Sequence, residues 1–208
     1  MATATGTDDH HEVVDVTPRG GRPRVLMVVA NPGVSTTTGW PVGFWAAELF
    51  HPLFEFTRAR YEVTIASPDG GPVTVDALSD PRDDSRWSAD DVISMGSLNT
   101  PSIMARLEDT PALAGLDPAD FDALVVCGGQ GPMFQFRDHA VLRRVIARFF
   151  EDGKPTAALC HGVSALIDVD LSDGSPLVAG RTVTGFANVE EDFGDAATGV
   201  TIMPYRVE

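Results

Sequence analysis

The run Ala157-Ala158-Leu159-Cys160-His161-Gly162-Val163-Ser164-Ala165-Leu166 reads as a buried strand that breaks at a cysteine and continues as a helix. A chain that changes from strand to helix at one residue puts that residue in a tight elbow. Its side chain is then held above the sheet edge, which is the architecture of an activated nucleophile. The helix expected after Cys160 would aim free backbone N–H groups and the positive end of its dipole at the sulfur, favouring thiolate over thiol. His161 leaves the same turn. The alternative is a small buried apolar residue, the usual role of a free cysteine.

Upstream of this elbow the chain alternates strand and helix signals. Arg24 to Ala30 is a continuous apolar run, as a central parallel strand needs when helices cover both of its faces. Asn31-Pro32-Gly33 turns the chain, and Pro41 lies near the start of a helix expected to run to about Arg60. Tyr61 to Ala66 is the second strand, closed by Ser67-Pro68-Asp69-Gly70-Gly71. Pro72 to Leu116 reads as an elaborated crossover in which only Ile103 to Leu107 looks helical. Phe121 to Cys127 is a strand ending in Gly128-Gly129-Gln130-Gly131-Pro132, Val141 to Phe150 is a helix stopped by Gly153, and Thr156 to Cys160 is the next strand. This order predicts a single-domain α/β fold with a doubly wound, mostly parallel sheet, whose ligands bind beyond the carboxyl ends of the strands. Gly128-Gly129 and Cys160 fall at such ends and are expected to face one crevice.

Length and charge narrow the function. A chain of 208 residues suits one α/β domain, and its net charge of -15 disfavours nucleic acid and anionic membrane surfaces as partners. Cys127 and Cys160 are the only cysteines, and neither a C-x-x-C pair nor a histidine cluster at metal-ligand spacing occurs, so neither a disulfide framework nor a structural zinc site is indicated. No apolar run is long enough for a membrane span and no signal peptide is recognisable, which predicts a reducing cytoplasm. Residues 1–22 are polar, acidic and then rich in Gly, Arg and Pro, and are expected to form a disordered tail, with His10 and His11 solvated.

Three further sets of residues bear on chemistry. Phe44, Trp45, Leu49, Pro52, Leu53 and Phe56 describe the apolar face of a helix, and Glu48 lies within that stripe. Burial would raise its carboxyl pKa and let it donate a hydrogen bond to a thiolate or substrate oxygen; the alternative is a boundary glutamate that reaches water. Gly128, Gly129 and the amides after Cys160, Gly162 among them, are candidate donors to an oxyanion, although a structural turn explains the glycines as well. His161 acts as a general base only when a third group orients its other nitrogen. The candidates lie in Thr184 to Asp192, a run that reads equally as a solvated acidic loop. Cys127 ends an apolar strand and belongs to the core, while His51 and His139 are assigned surface or packing roles without partners. No dinucleotide or phosphate-binding glycine motif is present.

Four stretches in order resemble the ThiJ/PfpI superfamily, the single-domain relatives of class I glutamine amidotransferases, in its branch of glutathione-independent glyoxalases and stress chaperones. They are Gly43 to Pro52, Gly128 to Phe134, Ala158 to Gly162 and Val183 to Glu191. The resemblance covers residues 23–208 and implies a flavodoxin-like fold with Cys160 as nucleophile, Glu48 hydrogen-bonded to its sulfur and His161 oriented by an acid. That acid falls on Glu191, with Glu190 as second choice. The implied activity is conversion of methylglyoxal to lactate without cofactor, by a homodimer acting on a small carbonyl substrate; amidase or peptidase action and a holding chaperone or redox sensor are the alternatives. Relatives often carry His where this chain has Gln130, and they continue past the position of Glu208 with a strand and a helix. The resemblance therefore predicts an open sheet edge and uncovered apolar surface near the end of this chain.

Overall fold

Val25 and Met27 point to one face of the first strand and Leu26 and Val28 to the other, and all four are buried, so layers must cover the sheet on both sides. The computed structural model describes residues 21–208 and has that arrangement. Strand β1 (Arg24–Val28) is central; β2 (Gly33–Val34) and β3 (Pro41–Val42) form a small antiparallel pair beyond it. Helix α1 (Ala46–Arg58), strand β4 (Glu62–Ala66), helices α2 (Val92–Leu98) and α3 (Pro101–Glu108), strand β5 (Ala123–Val126), helices α4 (Pro132–Gln135) and α5 (Ala140–Glu151), strand β6 (Thr156–Ala158) and helix α6 (Asn188–Thr198) follow. The main sheet has the order β4-β1-β5-β6, all parallel. That order reverses direction between β1 and β5, the topological switch point at which doubly wound folds bind ligands.

Leu49, Phe50 and Leu53 of α1, with Leu98 and Leu107, cover Val25, Met27 and Val125; Leu142, Ile146 and Phe149 of α5 cover Leu26, Val28 and Leu124 on the other face. Among the described residues no helix is long and apolar enough to cross a membrane.

The fold corrects four expectations. Pro41 belongs to β3 and not to the start of a helix, because residues 41–44 bridge to neighbouring strands before the chain turns at Trp45. The crossover contains α2 as well as α3, the former capped by the Asp91 carboxylate accepting from Ser94 N–H at 3.0 Å. The strand before Cys160 is the outer strand of the sheet, and its Ala157 is exposed. The elbow continues as a 3₁₀ helix over Cys160–Leu166, not as an α-helix. The expected tail falls outside the described residues apart from residues 21 and 22.

Candidate active site

Cys160 has φ +50°, in the left-handed region that costs a side-chain-bearing residue about 1–2 kcal/mol. Neighbouring hydrogen bonds hold it there: Leu159 N–H donates to Val126 O at 3.0 Å, and Gly162 N–H closes the turn on Leu159 O at 2.7 Å. The turns after β5 and β6 touch so closely that a Cβ on Gly128 would lie 2.7 Å from Leu159 O and 2.9 Å from Gly162 N. Glycine is required at 128 for that reason. Gly129 N–H and His161 N–H both hydrogen-bond the Cys160 sulfur.

Gly128 N–H donates to Glu48 Oε2 at 2.7 Å, and Gly162 N–H is spent on Leu159. Neither amide is free for an oxyanion, which corrects their expected role; of the three glycines, Gly129 is the one whose amide faces the sulfur. Glu48 reaches the sulfur from the first turn of α1 and hydrogen-bonds it, as the apolar stripe around it suggested. Burial pushes its carboxyl up, against the pull of the Gly128 amide. Burial and the Glu48 charge likewise push the Cys160 thiol up, which overturns the expectation of a thiol depressed by a helix dipole: a short 3₁₀ turn carries little dipole, and an anion stands beside the sulfur. Two adjacent anions are disfavoured, so the pair holds one proton between them.

His161 Nδ1 lies 3.5 Å from the Cys160 sulfur, and Nε2 lies 2.9 Å from Glu191 Oε1, with both side chains buried. The Phe186 ring packs on the imidazole at 4.2 Å between centroids. The acidic run is not a solvated loop but the first turn of α6, where successive side chains point about 100° apart. Glu191 therefore faces inward, while Glu190 stays exposed and accepts from Ala187 N–H at 2.8 Å, capping the helix.

Asp76 was not singled out by sequence and is central to the site. Its buried carboxylate accepts from Gly43 N–H at 2.7 Å and Gln130 N–H at 2.6 Å, tying the turn before α1 to the turn after β5. Burial raises its pKa to about 6 despite those two amides. An acid isolated among Val73, Val75, Ala77 and Leu78 was the available signal, the same one that marked Glu48. Ser79 Oγ then accepts from Ala46 N–H at 3.0 Å, supplying the cap that Trp45 lacks at the start of α1.

Cys127 is fully buried in the core, as expected. Its S–H donates to Glu48 O at 3.3 Å, a carbonyl left free because Pro52, four residues on in α1, has no N–H. His51 and His139 do have partners: His51 Nε2 meets Asp91 Oδ1 at 2.8 Å, and His139 Nδ1 accepts from Leu142 N–H at the start of α5.

Cys160, His161, Glu48 and Glu191 open on one cavity of about 360 Å³, walled by Trp45, Trp87, Phe186, Phe193, Ile202 and Met203. A cysteine at a strained strand end, a histidine bridging it to a buried acid and a second acid on the sulfur stand together at the sheet edge of an α/β protein of the flavodoxin-like class. Residues 41–207 match the DJ-1/PfpI family, and the chain belongs to it. It is 26% identical over 161 residues to Glyoxalase 3 of Candida albicans, a match covering 74% of this chain and 64% of that protein. It is 35% identical to a deglycase of Thermococcus kodakarensis, over 74% of this chain and 73% of the relative. The Rapid Encystment Protein of Francisella tularensis superposes with a TM-score of 0.78 at 25% identity, over 89% of this chain and 78% of that one.

Proposed function

We propose that the protein is a cofactor-independent glyoxalase that converts methylglyoxal to lactate through Cys160. The observation that carries this reading is the His161 ring, set between the Cys160 sulfur and the Glu191 carboxylate. The names of the Candida and Thermococcus relatives support it.

Cys160 Sγ attacks the aldehyde carbon, and the proton shared with Glu48 goes to the aldehyde oxygen, giving a hemithioacetal. His161, held in one tautomer by Glu191, removes the proton from that carbon and returns it to the neighbouring one, while the hydroxyl proton passes to the neighbouring carbonyl oxygen through the enediol, leaving a lactoyl thioester. Water then hydrolyses the thioester and restores the thiol. Glu191 is a positioning residue, whereas Cys160, His161 and Glu48 meet the reacting atoms. The apolar cavity suits a small neutral carbonyl and limits competing water.

A homodimer working in the cytoplasm belongs to the same reading. The two free cysteines support a reducing compartment. The test is lactate release from methylglyoxal by the purified protein, without glutathione, with and without Cys160→Ala. Activity that survives the substitution rejects the mechanism.

A further inference from the structure

Gln130 lies on the wall of the Cys160 cavity and is 7% exposed. Its backbone is fixed by the bond from its N–H to Asp76. Its side-chain oxygen is buried without a hydrogen-bond partner. The other two buried side-chain atoms in that condition among the described residues, Ser94 Oγ and Tyr205 Oη, are not on the cavity wall. A buried acceptor without a donor is unfavourable and is retained where a ligand supplies the donor.

The reacting groups say which donor this is. An aldehyde brings acceptors only. When Cys160 adds to it, a C–S bond forms, the carbonyl π bond breaks, and the proton shared by the thiol and Glu48 ends on the former carbonyl oxygen. That oxygen has become a hydroxyl donor. In acyl transfer from an amide or ester that proton must instead leave with the departing nitrogen or oxygen, so the former carbonyl oxygen stays an oxyanion, which an amide oxygen repels. No lysine or arginine lines the cavity, while Glu48, Glu190 and Glu191 do, so anionic substrates are disfavoured as well.

We propose that Gln130 Oε1 accepts the hydroxyl formed when Cys160 adds to an uncharged aldehyde, and that this contact selects aldehydes over acyl amides. The proposal rests on Cys160 being the carbonyl nucleophile. Because the donor exists only after addition, the contact strengthens the adduct and not the encounter complex.

The experiment separates this contact from turnover. Butyraldehyde has no neighbouring carbonyl to isomerise, so it adds reversibly without giving product. Its protection of Cys160 against iodoacetamide is measured in the wild type, Gln130→Leu and Gln130→Met, each relative to the same protein without aldehyde and each checked for a cooperative melt. The expected result is a three- to tenfold rise in the aldehyde concentration needed for half protection in both variants, the worth of about one neutral hydrogen bond. If Gln130→Leu does not fold, Gln130→Met carries the test. Equal protection in all proteins, or none in the wild type, overturns the proposal. Lactate formation is assayed in parallel: a wild type that binds butyraldehyde through Gln130 but makes no lactate retains this contact and loses the glyoxalase reading.

Discussion

The ends of β5 and β6 lie side by side, and each carries a cysteine, yet the two ends do opposite work. Cys127 ends β5 with an ordinary backbone, and its S–H is sealed in the core against a carbonyl of α1. Cys160 lies beyond β6 with a left-handed backbone and faces the cavity. Burial pushes both thiols up, so titration alone does not separate them. What differs is the surroundings of the sulfur: Cys160 has two amides, a carboxyl to share its proton and an imidazole within 3.5 Å, whereas Cys127 has a carbonyl that only accepts. The β5 end is scaffold, and its turn holds Glu48 and Asp76 in position. The β6 end holds the proposed nucleophile. Reactivity here is a property of the elbow and its neighbours, not of the residue type.

The two strand ends differ most at the sulfurs themselves. Cys160→Ala is expected to lower lactate formation at least about 10³-fold, whereas Cys127→Ala keeps activity within about threefold, since its lost bond reaches only the backbone of Glu48. Mass spectrometry after brief iodoacetamide treatment should find the label on Cys160 and none on Cys127. Label on Cys127 in the folded protein would mean that the two ends are not distinct.

The next effect separates the two acids of α6. Glu191→Gln should lower kcat about 10²-fold with little change in KM, because the imidazole loses the partner that orients it. Glu190→Gln, whose hydrogen bond runs to the Ala187 amide and not to His161, should leave kcat nearly unchanged and cost less than about 1 kcal/mol of stability. The kinetic constants of the two variants, measured together, decide the assignment.

Asp76 makes the scaffold at the β5 end sensitive to pH. Its carboxyl ionises at about 6 in the folded protein and at 3.8 when unfolded. The folded state therefore binds the extra proton between those values, and the contribution of Asp76 to stability falls by about 3 kcal/mol as pH rises through that window. Asp76→Asn removes this fall, so the difference between its stability curve and the wild type's should slope between about pH 4 and pH 6 and flatten above. Urea melts across that range test it, and a flat difference would remove Asp76 from the buried scaffold.

The smallest effect is a coupling. Cys127→Ala should cost about 1–2 kcal/mol in the wild type and less in a Pro52→Ala background, where a new amide satisfies the Glu48 carbonyl in place of the thiol. A double-mutant cycle with no coupling would mean that the proline gap and the cysteine are unrelated.

Much of the frame is legible in the chain because it is local. Val25 to Ala30 and Ala123 to Cys127 are apolar without interruption, which a strand covered on both faces requires, and Val141 to Phe150 carries a helical period. The crossover from Pro72 to Leu116 was less legible because its helices are short and its order comes from single capping groups such as Asp91 and Ser79. Pro41 misled because proline favours both a helix start and an edge strand, and contact with Gly33 and Val34 selected the strand.

By itself the sequence determined the alternation of strands and helices, the elbow at Cys160, the unusual setting of Glu48 and the core role of Cys127. Each follows from neighbours within a few residues, where periodicity and turn chemistry act. Tertiary packing settled that Glu191 and not Glu190 meets His161, that the Gly128 amide is spent on Glu48, that Asp76 ties two turns together and that the Cys160 thiol is held up. Those outcomes depend on groups from 30 to 112 positions apart, Glu191 with His161 and Glu48 with Cys160, and on the loss of water around them. A linear pattern encodes which faces are apolar; it does not encode which buried charge meets which donor once those faces have packed.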